Sequence, residues 1–301
     1  MSRPAHASPS IVSGLIALTV LSLAAGACGS DEAAPGASGP TIIATTSIWA
    51  DVANNVACDP SAAVQAVIPA GGDPHAFEPS LSDRGAMEDA ALVVANGLDL
   101  EQGLSDTLDA LDTPVLRMAD EIAPDTGDPH VWFDPVRVSA ALPALAESLV
   151  GAADLDVAAV DDCLTDYQEE LASIDTEITA ILAAIDPARR KLVTSHDSLA
   201  YFADRYGFEI VGTVVASSST LAETNPAQLE DLAQVVEREA VTAIFVDRDQ
   251  SADAAIALAD RVGDVEVVTL RTGTLGEAGS GADTYLGFLR TNAQLIADAL
   301  G

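Results

Sequence analysis

The sequence predicts an α/β protein of two lobes, each built on a mostly parallel sheet, joined by one long rigid helix. Three observations predict it. The chain has 301 residues, 49% of them hydrophobic, which exceeds the size at which a single core stops growing and is ample for two. Short apolar runs alternate with stretches of helical periodicity in two separate series, the pattern of parallel strands covered by crossover helices. Between the two series, apolar residues fall three or four apart over about residues 157–186, which marks one continuous helix.

The first element is an export signal over residues 1–27. Arg3 supplies a positive flank, and "IVSGLIALTVLSLAA" (11–25) is an apolar run too short to span a bilayer comfortably. No later run reads as a membrane helix. The signal ends in "LAAGACGS", where small residues lead to Cys28. This resembles a bacterial lipobox, in which cleavage exposes a cysteine that carries lipid, although Ala25 stands where Leu is more typical; the competing reading is ordinary cleavage to a soluble secreted protein. Residues 28–40 hold the lipidated cysteine and a Gly, Ala, Ser and Pro tether with almost nothing to bury.

The N-terminal lobe spans 41–156. "TIIATT" (41–46), "VQAVIP" (64–69), "ALVVANG" (91–97) and "PVLRM" (114–118) read as buried strands, with enough chain between them for crossover helices. The linking helix, 157–187, carries Leu164, Tyr167, Leu171, Ile174, Ile178, Ile181 and Ile185 on one face and Asp166, Glu169, Glu170 and Glu177 on the other. Pro187 is its stop signal. Roughly thirty residues at 1.5 Å each give a strut of about 45 Å. The C-terminal lobe, 188–301, resumes the strand grammar with "KLVTS" (191–195), "EIVGTVV" (209–215), "TAIFVD" (242–247) and "EVVTL" (266–270). Within it "TNPAQLEDLAQVVERE" (224–239) predicts a helix capped by Asn225, with Pro226 in its first turn.

Composition narrows the functional classes. The formal net charge is −34, from 13 Lys and Arg against 47 Asp and Glu, a field that repels nucleic acid and anionic membrane and concentrates cations. Nucleic acid is therefore excluded as a partner, and the membrane enters only through the lipid anchor. Three cysteines are an odd number for an exported chain unless one is already committed. With Cys28 set aside, Cys58 and Cys163 are expected to oxidise to a disulfide outside the cytoplasm; two separate buried thiols are the competing reading.

The chain has four histidines: His6 near the start, then His75, His130 and His196. Two of them sit in matching phrases, "GDPHAFEP" (72–79) and "GDPHVWFDP" (127–135). In open α/β sheets ligands bind off the carboxyl ends of strands. His75 follows the second strand, His196 directly follows "KLVTS", and His130 lies in a loop before a helix starting near Val136. Three imidazoles converging there would suit zinc or another first-row transition ion, with a fourth position for a carboxylate or water. Pro74 and Pro129 stiffen the two loops. Glu78, Asp134 and Asp197 stand close by in sequence as candidates to orient the imidazoles, and Trp132 and Phe133 are expected to pack the second loop against the sheet.

"AVIPAGGDPHAFEPSLSD", "DPHVWFDP", "VTSHDSLAYFADRYGF" and "SGADTYLGFLRTN" together resemble the metal-binding receptors of bacterial ABC importers, the cluster 9 or cluster A-I solute-binding proteins that include zinc and manganese receptors. The resemblance runs from about Thr41 to the end. It implies two α/β lobes joined by a long helix, with the ion in the cleft as cargo rather than in an enzyme. The family's three histidines match His75, His130 and His196. It also implies a monomer on the outer face of the cytoplasmic membrane that docks on an ABC permease and its ATPase.

Two departures count. The family often places an acidic ligand just ahead of a Leu-Gly pair after the last strand, where this chain reads "LRTGTLG" with Gly273 in that slot. Water could complete the sphere, or Asp247 could reach in, although Asp247 also suits a helix cap. Many zinc receptors carry a histidine-rich acidic loop before the second phrase, where this chain has only "EIAPDTGD" (121–128).

Histidine at the third position favours Zn2+ over Mn2+, since harder oxygen ligands suit manganese. Affinity is then expected to fall as pH drops through the imidazole range. The rivals are an exported zinc hydrolase, for which the chain lacks a His-Glu-x-x-His helix, and an adhesin in which metal is incidental.

Overall fold

The apolar runs become strands, and the inner ones are buried on both faces, where a β-branched, continuous hydrophobic segment is most stable, whereas the edge strands are only partly buried. The computed structural model describes residues 39–123 and 127–301. The expected signal peptide, Cys28 and most of the tether lie outside them, as does the middle of the 121–128 stretch.

In the first lobe β1 (Thr41–Ala44) leads into α1 (Ser47–Ala57), then β2 (Ala63–Ala66), α2 (Leu81–Glu88), β3 (Leu92–Ala95), α3 (Ser105–Ala110), β4 (Val115–Arg117) and α4 (Met118–Ile122). A short 3-10 turn, Val131–Phe133, precedes α5 (Pro135–Ala153). The long helix α6 (Val157–Leu182) crosses to the second lobe, which holds β5 (Lys191–Thr194), α7 (Ala200–Tyr206), β6 (Glu209–Thr213), α8 (Pro226–Arg238), β7 (Ala243–Asp247), α9 (Asp253–Val262), β8 (Glu266–Leu270) and α10 (Tyr285–Leu300). Among the described residues the sheets are wholly parallel, in the orders β2-β1-β3-β4 and β6-β5-β7-β8. The two lobes thus repeat one strand order, although their sequences share no repeat beyond the twin histidine phrases. The expected helix over 224–239 is α8, and Asn225 accepts the Ala227 N–H at 2.9 Å as its cap.

The linking helix ends earlier than its apolar spacing suggests. It has 26 residues, about 39 Å at 1.5 Å per residue. Asp186, next to Pro187, is extended at ψ 130, as proline demands of its neighbour. Arg190 closes the exposed end by donating to the Leu182 carbonyl at 3.0 Å. Val160, Tyr167, Leu171, Ile174, Ile178 and Leu182 are buried, whereas Leu164 and Ile181 are only half-buried.

Helix α6 packs against α5, α10 and α1. Cys58, the C-cap of α1, is joined to Cys163 in α6 by a disulfide with a Cα–Cα distance of 6.4 Å. Glu177 of α6 receives a two-pronged pair from Arg290 of α10 at 2.7 and 2.8 Å. Helix α5 has the length and mean hydropathy of a membrane span, 19 residues at 1.3, contrary to the reading of the sequence. Its Val138, Leu142, Leu145 and Leu149 nevertheless lie fully inside the core.

Most of the core is continuous, with one smaller cluster confined to each lobe. One buried cluster runs from Ile42, Trp49 and Trp132 through Leu171 and Ile174 to Leu192, Phe202, Tyr285 and Phe288, so the inner faces of both lobes share a single hydrophobic interior.

Candidate metal centre

His75, His130 and His196 meet at the carboxyl ends of the sheets. Their rings lie 5.2 to 5.9 Å apart between centroids. His130 Nε2 is 3.4 Å from His75 Nε2 and 3.3 Å from His196 Nε2. All three side chains are buried, and among the described residues they form the one group of ligand atoms close enough to share an ion.

The twin phrases explain how two of them are held. In each, the aspartate two residues before the histidine turns its carboxylate back onto the backbone: Asp73 Oδ1 accepts the His75 N–H and Asp128 Oδ1 the His130 N–H, both at 3.0 Å. This is an Asx-turn, with the intervening proline fixing φ. Each loop is also tied to the opposite lobe by a hydroxyl. Thr220 donates to Asp73 at 2.7 Å and Tyr201 donates to the Asp128 carbonyl at 3.1 Å.

The third histidine leaves the end of β5, where Thr194 donates to the His196 carbonyl at 2.7 Å and Ser195 Oγ lies 3.5 Å from His196 Nδ1. The strand β5 flanks the point where strand order reverses in its sheet, the usual place for a ligand in such folds.

The orienting carboxylate is Asp128, whose Oδ1 also lies 2.8 Å from His130 Nδ1. That contact leaves Nε2 to face the other two rings, the role a carboxylate plays behind a metal-bound imidazole. None of the three carboxylates singled out in the sequence does this. Asp134 is committed to the start of α5, accepting from Val136 and Arg137; Glu78 is exposed; and Asp197 has its carboxyl raised by burial and by the neighbouring Asp128. The repeated Asp-Pro-His wording was the available signal for Asp128. Trp132 and Phe133 pack as expected, and Trp132 donates to the Thr272 carbonyl at 2.9 Å.

Asp247 neither joins the cluster nor caps a helix. It accepts from the Asp249 N–H and from Gln250, each at 3.2 Å, and from the Thr272 hydroxyl. It closes the turn after β7, while α9 begins only at Asp253. Burial pushes its carboxyl up to about 6.

Burial also works on the imidazoles. It pulls His75 down to about 4 and His196 to about 2, and the neighbouring His130 adds to both effects. Both rings are therefore neutral at physiological pH, with lone pairs free to bind a cation. For these two, proton competition begins well below the ordinary imidazole range that the sequence suggests.

Comparison with known proteins identifies the family. Residues 42–299 match the family model described as zinc-uptake complex component A, periplasmic. The chain is 28% identical over 296 residues to the manganese-binding lipoprotein MntA of Halalkalibacterium halodurans, covering 94% of this chain and 96% of that protein. It is 29% identical over 301 residues to the zinc-binding protein TroA of Treponema pallidum, covering 95% and 96%. The solved structure of periplasmic zinc-binding TroA superposes with a TM-score of 0.81 at 26% identity, over 87% of this chain and 99% of that one. Sequence, topology and the buried histidine cluster thus converge, and the chain belongs to the ZnuA family, the periplasmic component A of zinc-uptake complexes.

Proposed function

We propose that this chain is an extracytoplasmic zinc receptor whose cargo is held by the Nε2 atoms of His75, His130 and His196. The carrying observation is their spacing. Zinc–nitrogen bonds of 2.0–2.1 Å in a tetrahedron put neighbouring nitrogens about 3.3 Å apart; two of the three separations here, His75–His130 and His130–His196, are 3.4 and 3.3 Å, and all three ligand atoms lie within 4.8 Å of one another. All three ligands are borderline imidazole nitrogens, and among the described residues no carboxylate joins them. That donor set favours zinc over the harder manganese ion. Water fills the fourth position, since Gly273 offers no side chain.

The rest of the reading follows the family. Residues 1–27 direct export, Cys28 carries lipid, and residues 28–40 tether lobes 41–156 and 188–301 to the outer face of the cytoplasmic membrane, with 157–187 as their link. The loaded monomer docks on an ABC permease driven by an ATPase. Membership in an uptake family removes the hydrolase reading.

Manganese is the second reading, supported by the relative named as a manganese-binding lipoprotein. Elemental analysis of the purified mature chain, followed by competition between the two ions, decides between them. Zinc retained against an excess of manganese is the expected result, and manganese displacing zinc overturns it. Deletion of the gene should stop growth under zinc chelation.

A further inference from the structure

The two histidine phrases use their aspartates differently. Asp128 brings one oxygen, Oδ1, both to the His130 backbone N–H and to ring Nδ1. Asp73 accepts the His75 backbone N–H with its Oδ1, but it makes no bond to the His75 ring, whose Nδ1 has no hydrogen-bond partner among the described residues. The second oxygen of Asp73 instead accepts the Thr220 hydroxyl at 2.7 Å. Thr220 comes from the opposite lobe, in the loop of residues 214–225 between β6 and α8. Among the described residues this is the one hydrogen bond that the loop makes to the first lobe.

The same loop is seated beside His196. Its Val215 N–H donates to the Ser195 carbonyl at 2.8 Å, and its Ser217 carbonyl accepts the Asp197 N–H at 2.9 Å, one bond on either side of that histidine. The Ser219 N–H then donates to Ser217 Oγ at 3.0 Å, which turns the chain and carries Thr220 to Asp73. The loop therefore straps the His196 side of the cluster to the His75 side. Little else holds it, since no side chain from Val215 to Asn225 is buried. The lobes themselves share a core that resists parting. A segment with few buried contacts opens at lower cost than a core does, so an ion escapes where this strap lifts.

We infer that Thr220 is a positioning residue for the metal centre: its hydroxyl fixes the Asp73 carboxylate that turns the His75 loop, and so slows escape of the bound ion. The inference rests on the reading of the three histidines as the zinc ligands. It assigns the residue to release rather than capture, because an ion enters while the strap is lifted and the bond across the cleft is not yet made.

The test is stopped-flow kinetics on the mature chain: release of bound Zn2+ into excess chelator, and association followed by the fluorescence of Trp132, which stacks edge-on to His130 with centroids 5.4 Å apart. Thr220→Val keeps the branched shape and removes the hydroxyl. It should release zinc about 10-fold faster, as expected for a lost hydrogen bond to a charged group, with association unchanged within about twofold. Thr220→Ser, which keeps the hydroxyl, should release at the wild-type rate. In an Asp73→Ala background Thr220→Val should add nothing, because the bond is already gone. Metal-free Thr220→Val should melt with the wild type; if it melts early, Thr220→Ala reads the same missing hydroxyl.

Wild-type release from the hydroxyl-free variants, Thr220→Ser releasing as fast as Thr220→Val, a loss confined to association, or an equal further acceleration in the Asp73→Ala background would each overturn the inference while leaving the zinc reading intact. A wild-type chain that binds no zinc would overturn both.

Discussion

At the scale of single residues, the histidine cluster depends on groups outside it. Asp128 holds His130 through both its backbone and its ring. Asp128→Ala should lower zinc affinity by about 10- to 100-fold, with Asp128→Asn intermediate because the amide still accepts the backbone bond; chelator competition reads both. The pH response follows from burial. His75 and His196 are neutral down to about pH 4 and 2, so above pH 5 zinc displaces no proton from either ring. Calorimetry in two buffers of different ionisation enthalpy at pH 5.5 should find fewer protons released per ion than three ordinary imidazoles would give, and a release near that full complement would refute the shifts. Folding responds with a definite sign. As pH falls below about 6.5 the unfolded chain protonates these rings first, so their contribution to metal-free stability is lost progressively, for His75 down to about pH 4 and for His196 down to about pH 2. That the three histidines come together was legible in the sequence, because two shared a phrase and the third followed a strand. Asp128 was not singled out, since which nearby carboxylate reaches a ring depends on turn geometry.

At the scale of elements, the strands were legible because buried parallel strands are unbroken apolar runs bounded by turns. The end of α6 was not. Apolar spacing continues to Ile185, which is buried at 1% exposure, yet proline geometry and the Arg190 cap stop the helix at Leu182. The disulfide spans a sequence separation of 105 and ties α1 to the same α6. Reducing it, or Cys58→Ser with Cys163→Ser, should cost about 2–5 kcal/mol of folding stability, measured by denaturant unfolding. Zinc affinity should change little, since neither cysteine lies in a histidine loop.

At the scale of the molecule, the shared interior restricts what the two lobes can do separately. Trp132, Phe133 and Phe288 are buried at 1% exposure or less in a cluster that also contains the core face of α6. Prying the lobes far apart would wet all of them. The metal-free chain should therefore unfold in one transition seen alike by tryptophan fluorescence and far-ultraviolet dichroism, and small-angle scattering should change little when zinc binds. Two separated transitions would contradict the continuous core. The same continuity bears on inheritance. Although both halves repeat one strand order and each keeps a small cluster of its own, most of the interior is shared, so a hybrid that grafts one relative's front half onto another's back half must match side chains across the seam. Recombination at the long helix should yield insoluble products, and such receptors are expected to diversify by substitution within whole chains rather than by trading halves.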